Sequence, residues 1–306
     1  MADDIFGAIE LGGTKIKVAT GTRDGRIVTE LAFATRQPGE SFEMILSFFA
    51  NNRVVAIGVG AFGPVTVSHK SVQYGRIGIT PKPGWSGFDI SHALAPLGVP
   101  MAIDTDVNAA LIGEFRRGAA ADCRVAVYLT IGTGIGGGLL VDGRPVHGLL
   151  HPEMGHLRVI RDPGDDLHSQ CPFHANCVEG LASGPAIIAR FGKPLSALPA
   201  DHGGHDLIAD YIGQLCAAIV LIASPEVIII GGGVAKTPLL HTAISRRVRT
   251  SLNGYISARD DNSCRIVPPK LHGSSGLMGA LELAYDAIDD YASGQKRPAV
   301  KQAPSG

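Results

Sequence analysis

The sequence predicts an α/β protein made of two related domains. Apolar runs rich in β-branched residues alternate along the chain with stretches of helical periodicity, which is typical of this fold class. A glycine-rich pattern occurs twice, about 120 residues apart, and each copy lies between two such apolar runs. With 306 residues and 45% hydrophobic composition, the chain can form two domains of ordinary size.

Each copy of the glycine-rich pattern predicts a strand, a glycine turn, a second strand, an Asp-Gly hairpin turn and a third strand. The first copy runs from Phe6 through Gly12-Gly13-Thr14-Lys15 to Asp24-Gly25, and the second from Val125 through Gly132-Thr133-Gly134 to Asp142-Gly143. Two copies of one unit indicate two α/β domains that face each other across a cleft.

The remaining elements follow in order along the chain. Helical periodicity predicts helices over residues 41–50, 109–117, 184–191, 207–223, 238–252 and 276–291. Residues 63–88 are rich in Pro and Gly and lack this periodicity, so we expect a substrate loop there.

We expect an N-terminal domain over residues 1–117 and a C-terminal domain over residues 118–275 that contains the metal-binding loop described below. The helix over 276–291 could pack back on the N-terminal domain. Residues 292–306 contain Pro, Gly and Lys and have little to bury, and we expect them to be disordered.

The composition of the chain argues against several classes of partner and indicates where the protein is located. The formal net charge is −1 and no basic run precedes the C-terminal tail, so no surface for nucleic acid or an anionic membrane is expected. No apolar stretch approaches the roughly 18 residues of a transmembrane helix, and the acidic N-terminus does not resemble a signal peptide. Five cysteines, with Cys123, Cys216 and Cys264 scattered, form no disulfide framework. These features predict a cytoplasmic protein.

The densest group of metal-binding residue types lies between His156 and Cys177. Cys171, His174 and Cys177 follow one another at three-residue steps, and thiolate and imidazole are donors that Zn²⁺ selects. Either His156 or His168 could be the fourth ligand, and spacing alone does not decide between them. Chance crowding in a chain with eleven His and five Cys is one alternative, and a Cys171–Cys177 disulfide is another. We predict a zinc site.

The two glycine turns have a chemical use besides chain reversal. Backbone N–H groups in such turns can approach phosphate oxygens closely where no Cβ intervenes. Thr14, Lys15 and Thr133 could add side-chain donors, and a third glycine cluster, Gly231-Gly232-Gly233, follows the apolar strand 227–230. The alternative is that the glycines are needed only for the geometry of tight hairpin turns. Three clusters together favour a nucleotide site.

Two other nucleotide motifs are absent or weak. The Walker pattern G-x-x-x-x-G-K-[ST] does not occur. Two G-x-G-x-x-G matches, beginning at Gly58 and Gly132, are followed by strand or turn residues, whereas a dinucleotide site requires a helix there. An oxidoreductase is therefore disfavoured.

The segment Asp104-Thr105-Asp106-Val107-Asn108 contains the candidate acid–base residue. It follows the apolar strand 99–103 and precedes a helix. A carboxylate at such a strand end can accept a proton from a substrate hydroxyl. A helix N-cap is the alternative for an Asp or Asn at this place. We interpret Asp104 or Asn108 as structural and Asp106 as catalytic.

These motifs together resemble those of the ROK family (repressors, open reading frames, sugar kinases). The matches extend in order from about Phe6 to Tyr285 and comprise Gly12-Gly13-Thr14-Lys15, Asp104-x-Asp106-x-Asn108, Gly132-Thr133-Gly134-Ile135-Gly136, Glu153-Met154-Gly155-His156 and Cys171…Cys177-Val178-Glu179. Within the family the chain is similar to bacterial fructokinases, which share Glu10, Phe62-Gly63-Pro64, the segment TPKPGW at 80–85, the segment 104–108 and Cys171-Pro172-Phe173-His174.

The resemblance implies an actin-like, ribonuclease-H-type fold with ATP and a hexose in the cleft, and Mg²⁺ accompanying the ATP. It implies that Asp106 is the general base and that His156 completes a structural zinc site with Cys171, His174 and Cys177. The implied substrate-binding residues are Gly63, Pro64, Thr105, Glu153, His156 and Glu179. The nucleotide-binding residues are expected to be Gly12, Gly13, Thr14, Lys15, Gly132, Thr133, Gly134, Pro185, Gly231, Gly232 and Gly233.

The kind of sugar is less strongly indicated. Many ROK glucokinases have Asn at the position of Thr105, and loss of that amide favours another sugar, consistent with conversion of D-fructose to fructose 6-phosphate. Mannose, glucose and N-acetylhexosamines are the alternatives. A sugar-responsive ROK regulator is disfavoured, because the first strand begins at about Ile5 and leaves no room for a DNA-binding helix-turn-helix. Since ROK kinases are commonly dimers, we expect a homodimer.

Overall fold

The computed structural model describes residues 4–256 and 264–292, and this part of the chain forms two compact units. Unit 1 contains residues 4–116, 147–151 and 273–292, and unit 2 contains residues 117–146, 152–256 and 264–272. The segment His147–His151, called the inserted segment below, belongs to unit 1 although the residues on both sides of it belong to unit 2. The tail predicted to be disordered lies outside the described residues, except for Ala292.

Unit 1 is built on a mixed five-stranded sheet. Its strands are β1 (Ile5–Leu11), β2 (Lys15–Thr22), β3 (Ile27–Ala34), β4 (Ile57–Ala61) and β5 (Met101–Thr105), in the spatial order β3-β2-β1-β4-β5. β1, β4 and β5 are parallel, and the register pairs Leu11 with Ala61 and Ala61 with Thr105. The carboxyl ends of these three strands therefore lie level at one edge of the sheet.

Unit 2 repeats this topology. Its strands are β6 (Val125–Ile131), β7 (Ile135–Val141), β8 (Arg144–Pro145), β9 (Val227–Gly231) and β10 (Arg265–Val267), in the order β10-β9-β6-β7-β8. In each sheet an antiparallel meander of three strands is followed by two strands parallel to the first. The repeat predicted from the glycine pattern is therefore present in the strand order itself.

Helices follow the strands in both units. They are α1 (Pro38–Asn51), α2 (Ile90–Leu94), α3 (Asp106–Arg117), α4 (Val178–Ala182), α5 (Gly184–Phe191), α6 (Gly204–Ala223), α7 (Leu240–Leu252) and α8 (Ser275–Ala292). The six helices expected from periodicity are present with shifted ends, whereas α2 and α4 were missed because five residues are too few to show a helical period. Residues 62–89 contain no helix or strand, as expected for the loop, and its Trp85 is fully buried.

Helix α8 packs in unit 1 through very small residues. A Cβ on Gly58 of β4 would lie 1.8 Å from the carbonyl oxygen of Ala280, and one on Gly279 would lie 1.5 Å from that of Ala109. Real Cβ atoms do not approach a carbonyl oxygen so closely, so glycine is required at both positions. Backbone-to-backbone packing thus holds the C-terminal helix against β4 and α3.

Helix α6 corrects one expectation from composition. With 20 residues it is long and apolar enough to cross a membrane by length and composition, although no stretch of this kind was expected. Ile208, Ile212 and Ile219 of this helix are buried in the core of unit 2. The apolar character of α6 is therefore used for packing, and core helices commonly pass the same test.

Candidate active site and metal centre

The candidate general base lies where β5 ends and α3 begins. β5 ends at Thr105, and Asp106 is the first residue of α3. One carboxylate oxygen of Asp106, Oδ1, accepts the backbone N–H of Val107 at 2.9 Å. In open α/β sheets the carboxyl edge of parallel strands is where ligands bind. Asp106 thus stands at the edge of unit 1 where a substrate group is expected.

The residues around Asp106 form a buried hydrogen-bond network. Asp104 Oδ1 accepts the N–H of Thr105 at 2.7 Å and Nδ2–H of Asn108 at 2.8 Å. Thr105 Oγ1 accepts the N–H of Asn108 at 3.1 Å, as an N-cap hydroxyl does. Asp104, Thr105 and Asn108 are all buried. Their side chains fix the turn, and Thr105, expected to bind substrate, uses its hydroxyl as a cap.

Sequence reasoning missed His147, which belongs to the same network. Its Nε2 lies 3.0 Å from Asp104 Oδ2, 3.1 Å from Asp104 Oδ1 and 3.2 Å from Asn108 Nδ2. The hydrogen bond to Asp104 raises the pKa of His147, and partial burial opposes this shift. His147 is 43 residues from Asp104 in the sequence. It is followed by Gly-Leu-Leu, which shows no strand or helix periodicity, so no local pattern predicted the contact.

Gly63 and Pro64, expected to contact substrate, follow the carboxyl end of β4. The register of the parallel strands brings this end beside that of β5. A Cβ on Gly63 would lie 3.4 Å from Cε1 of His151, and Pro64 accepts the N–H of Gly78 at 2.7 Å. The inserted segment therefore contacts the ends of both strands, through His151 at β4 and His147 at β5.

The first glycine turn lies at the carboxyl end of β1, on the same edge of unit 1. The N–H of Gly12 donates to the carbonyl of Lys15 at 3.1 Å, and Thr35 Oγ1 donates to the carbonyl of Gly12 at 2.7 Å. Lys82 Nζ donates to the carbonyl of Gly13. Gly13, Thr14 and Lys15 are exposed. The turn is thus anchored at Gly12 and open at the three residues expected to meet phosphate.

The other glycine turns meet at one edge of unit 2. The N–H of Gly184, the first residue of α5, donates to the carbonyl of Gly132 at 2.7 Å. A Cβ on Gly232, which has φ of +91°, would lie 2.4 Å from the carbonyl oxygen of Ile131. The structure therefore brings together the turn at Gly132, Thr133 and Gly134, the start of α5 with Pro185, and the cluster Gly231-Gly232-Gly233.

The residues expected to bind sugar hydroxyls in unit 2 are organised around Ile135. Glu179 of α4 accepts the N–H of Ile135 at 2.9 Å through Oε2. A Cβ on Gly155 would lie 1.9 Å from the carbonyl oxygen of Ile135, so the helical turn Met154–His156 packs directly on β7. Glu153 precedes this turn and His156 ends it. The three expected residues thus share one backbone anchor.

His156, Cys171, His174 and Cys177 form one cluster, with one donor atom from each lying within 4.8 Å of the others. Cys171 Sγ lies 3.7 Å from Nδ1 of both His156 and His174. Tetrahedral Zn²⁺ with bonds of about 2.3 Å to sulfur and 2.0–2.1 Å to nitrogen separates such donors by about 3.6 Å. The side chains therefore fit a tetrahedral zinc ion. The alternative ligand, His168, is exposed and does not belong to the cluster.

The two cluster cysteines are free thiols in the structure. Burial raises the pKa of Cys177 to about 11, and its neighbour Cys171 adds to this effect. A bound metal reverses such a shift, because a thiol that coordinates Zn²⁺ loses its proton. Uptake of a metal at Cys177 would therefore release the proton of its thiol.

The loop between His156 and Cys171 is held by a second, independent anchor. Asp165 accepts Nε–H and Nη2–H of Arg190 at 3.0 Å each and the hydroxyl of Tyr211 at 2.7 Å. Burial opposes ionisation of Asp165, but the hydrogen bonds from Arg190 and Tyr211 prevail and lower its pKa. Burial, together with Asp165, raises the pKa of Tyr211 to about 12. The loop is thus fixed to α5 and α6.

Comparison with known proteins identifies the family of the chain. The model of the ROK family matches residues 6–287, which include both glycine turns, the Asp104–Asn108 segment and the metal cluster. The chain belongs to the ROK family. This confirms the resemblance predicted from the motifs.

Three similar proteins illustrate the relationship. A putative fructokinase of Bacillus subtilis (strain 168) is 42% identical over 96% of this chain and 100% of its own length. A fructokinase of Pediococcus pentosaceus is 40% identical over 93% of this chain and 99% of its own. The crystal structure of the ROK hexokinase from Thermus thermophilus superposes with a TM-score of 0.74 at 28% identity, over 94% of this ROK protein and 99% of the hexokinase. The predicted α/β sugar-kinase fold and the likeness to fructokinases are confirmed.

Proposed function

We propose that this ROK protein is a fructokinase, which transfers the γ-phosphoryl group of ATP to D-fructose and forms fructose 6-phosphate. The observation that carries the proposal is the identity of 40–42% with the Bacillus and Pediococcus relatives over nearly the whole chain.

The chemistry requires one proton acceptor, and Asp106 is assigned that role. Its carboxylate takes the proton of the attacking sugar hydroxyl as the oxygen of that hydroxyl bonds to the γ-phosphorus. The bond between the γ-phosphorus and the bridging oxygen of ADP breaks, and ADP leaves with the electron pair. The rest of the catalysis is positioning and neutralisation of charge. The hydrogen bond from Val107 to Oδ1 of Asp106 supports this role, since it limits rotation of the carboxylate.

Binding of the two substrates is assigned to separate groups of residues. Glu153, His156 and Glu179 are proposed to hold sugar hydroxyls, together with Gly63, Pro64 and Thr105. The ATP phosphates, with Mg²⁺ held partly through water, are assigned to the glycine turns at 12–15, 132–134 and 231–233 and to the start of α5 at Pro185. The exposed members of these turns support the assignment, and they are Gly13, Thr14, Lys15, Thr133, Pro185 and Gly233.

Zinc is proposed to occupy the cluster of His156, Cys171, His174 and Cys177. Four protein ligands leave no open coordination position, so the metal would be structural. It would fix the loop between His156 and Cys177, on either side of which lie Glu153 and Glu179. The fit of the donor separations to tetrahedral coordination supports this proposal.

A kinase for mannose, glucose or an N-acetylhexosamine is the alternative. The proposal is tested by measuring ADP release from ATP with each of these sugars and with fructose. The phosphorylated carbon of fructose is then identified with phosphoglucose isomerase, which accepts fructose 6-phosphate. The kcat/KM for fructose should exceed that for every other sugar. A higher value for another sugar, or no turnover of any, would refute the assignment. The homodimer and the cytoplasmic location remain predictions.

A further inference from the structure

The turn between β5 and α3 depends on a buried carboxylate, that of Asp104. Its side chain is 6% exposed, and it accepts from the N–H of Thr105, from Asn108 Nδ2 and from His147 Nε2. Among the described residues no Lys or Arg forms an ion pair with Asp104, and its Oδ2 lies 3.0 Å from Nε2 of His147. A buried carboxylate needs hydrogen-bond partners, and His147 supplies the one at this oxygen.

Asp104 also defines which way the neighbouring amide of Asn108 points. Nδ2 of Asn108 donates to Asp104, and Oδ1 of Asn108 is buried without a hydrogen-bond partner. Turning the amide over would set its oxygen 2.8 Å from Asp104 Oδ1, where two acceptors repel each other. Asp104 is therefore a hydrogen-bond acceptor in the observed arrangement. Its two oxygens receive the imidazole Nε2–H of His147.

The backbone that these hydrogen bonds hold is the backbone that carries Asp106. Asp104 receives the N–H of Thr105, and Thr105 in turn receives the N–H of Asn108 at 3.1 Å, so the network spans the turn on both sides of Asp106. These hydrogen bonds join Asp104, Thr105, Asn108 and His147. A shift of Asp104 would therefore move Asp106 without removing any group that touches the sugar.

We infer that His147 is a positioning residue of this enzyme: by holding Asp104 it fixes the turn from which the base Asp106 acts. Nothing in the reaction requires His147 to touch the sugar or ATP. The inference rests on the proposed role of Asp106 and adds a residue outside the family motifs that carried that proposal.

The test is a double-mutant cycle between His147 and Asp106, with kcat measured for fructose at saturating ATP. His147→Ala should lower kcat about tenfold, since small misplacements of a reacting group are costly, and leave the KM for ATP within about twofold. His147→Gln keeps an N–H donor for Asp104 and should restore most of the lost activity. In the Asp106→Asn background, His147→Ala should cause no further loss, because a base that is absent cannot be misplaced.

Several results separate this inference from its alternatives. If the two substitutions lower kcat independently, so that their fold losses multiply in the double variant, the inference is wrong. It is also wrong if His147→Ala has a normal kcat. His92→Ala, a change at an exposed histidine of α2, is the matched control and should leave kcat unchanged. If His147→Ala does not fold, His147→Asn, whose side chain is too short to reach Asp104, takes its place in the cycle. An Asp106→Asn enzyme with normal kcat would instead refute the proposed role of Asp106 as base, on which this inference rests.

Discussion

His147 Nε2 lies 3.0 Å from Oδ2 of Asp104, and this contact joins two buried or half-buried groups that are 43 residues apart in the chain. Asp104, the partner of His147, is the residue two positions before Asp106, the proposed base. The pair links the inserted segment to the end of β5. Its contribution to the stability of the fold should depend on pH.

The stabilising effect of His147 should weaken as the pH rises. The hydrogen bond to Asp104 raises the pKa of His147 above its ordinary value of 6.5. A raised folded-state pKa gives a stabilisation that is complete below the unfolded value and is lost as the pH rises through the folded value. The Tm difference between wild type and His147→Gln should therefore be largest below pH 6.5 and shrink as the pH rises above this value.

Thermal unfolding followed by circular dichroism across this pH range measures the difference directly. Besides Asp104, His147 Nε2 lies 3.2 Å from the amide nitrogen of Asn108, which does not titrate. A Tm difference that is constant or grows with pH would contradict the ion pair. His92→Gln should show no such dependence.

Loss of one cluster cysteine should release the metal. We expect about one zinc per chain in the purified protein, and Cys177→Ser should lose it together with much of the stability, since binding of a structural metal is coupled to folding. Cys264→Ser is the matched control, because Cys264 is a free thiol outside the cluster. Metal content by elemental analysis and Tm report the outcome. A metal-free wild-type enzyme that is stable and fully active would disprove the site.

The glycine turn at Gly132 should affect ATP more than sugar. A Cβ at Gly132 would meet no atom within 4 Å, and its φ is not positive, so Gly132→Val should fold normally. The added side chain should raise the KM for ATP by about tenfold or more if the phosphates approach the backbone there, while the KM for fructose changes little. Gly203→Val, which also enters open space, is the control. Unchanged ATP kinetics in Gly132→Val would reject the phosphate role of this turn.

Local patterns in the sequence were enough to predict the six longer helices, the glycine turns and the repeated topology, because each depends on residues close together in the chain. The pairing of Asp104 with His147 could not be predicted in this way. It depends on the inserted segment joining unit 1, and the stretch His147-Gly148-Leu149-Leu150-His151 has neither strand nor helix periodicity. No apolar stretch of membrane length was expected, yet α6 meets that criterion, and its Ile208, Ile212 and Ile219 lie in the core of unit 2.

The metal cluster was likewise only partly predictable from local patterns in the sequence. The three-residue steps of Cys171, His174 and Cys177 were visible in the sequence, but the choice between His156 and His168 was not. It depends on the helical turn Met154–His156, which packs on β7 because Gly155 has no side chain. The fourth ligand is thus set by a contact between elements that are distant in the sequence.

The most direct test of the central claim is the kcat of Asp106→Asn with fructose and ATP. The substitution keeps the shape of the side chain and removes the basic oxygen, so fructose should still bind and kcat should fall about 10²-fold or more. Asp104→Asn should act differently, with a clearly lower Tm and a smaller loss of kcat, because Asp104 holds the turn without receiving the proton. Equal losses of kcat in the two variants would undo the distinction between them, and a near-normal kcat in Asp106→Asn would contradict the account outright.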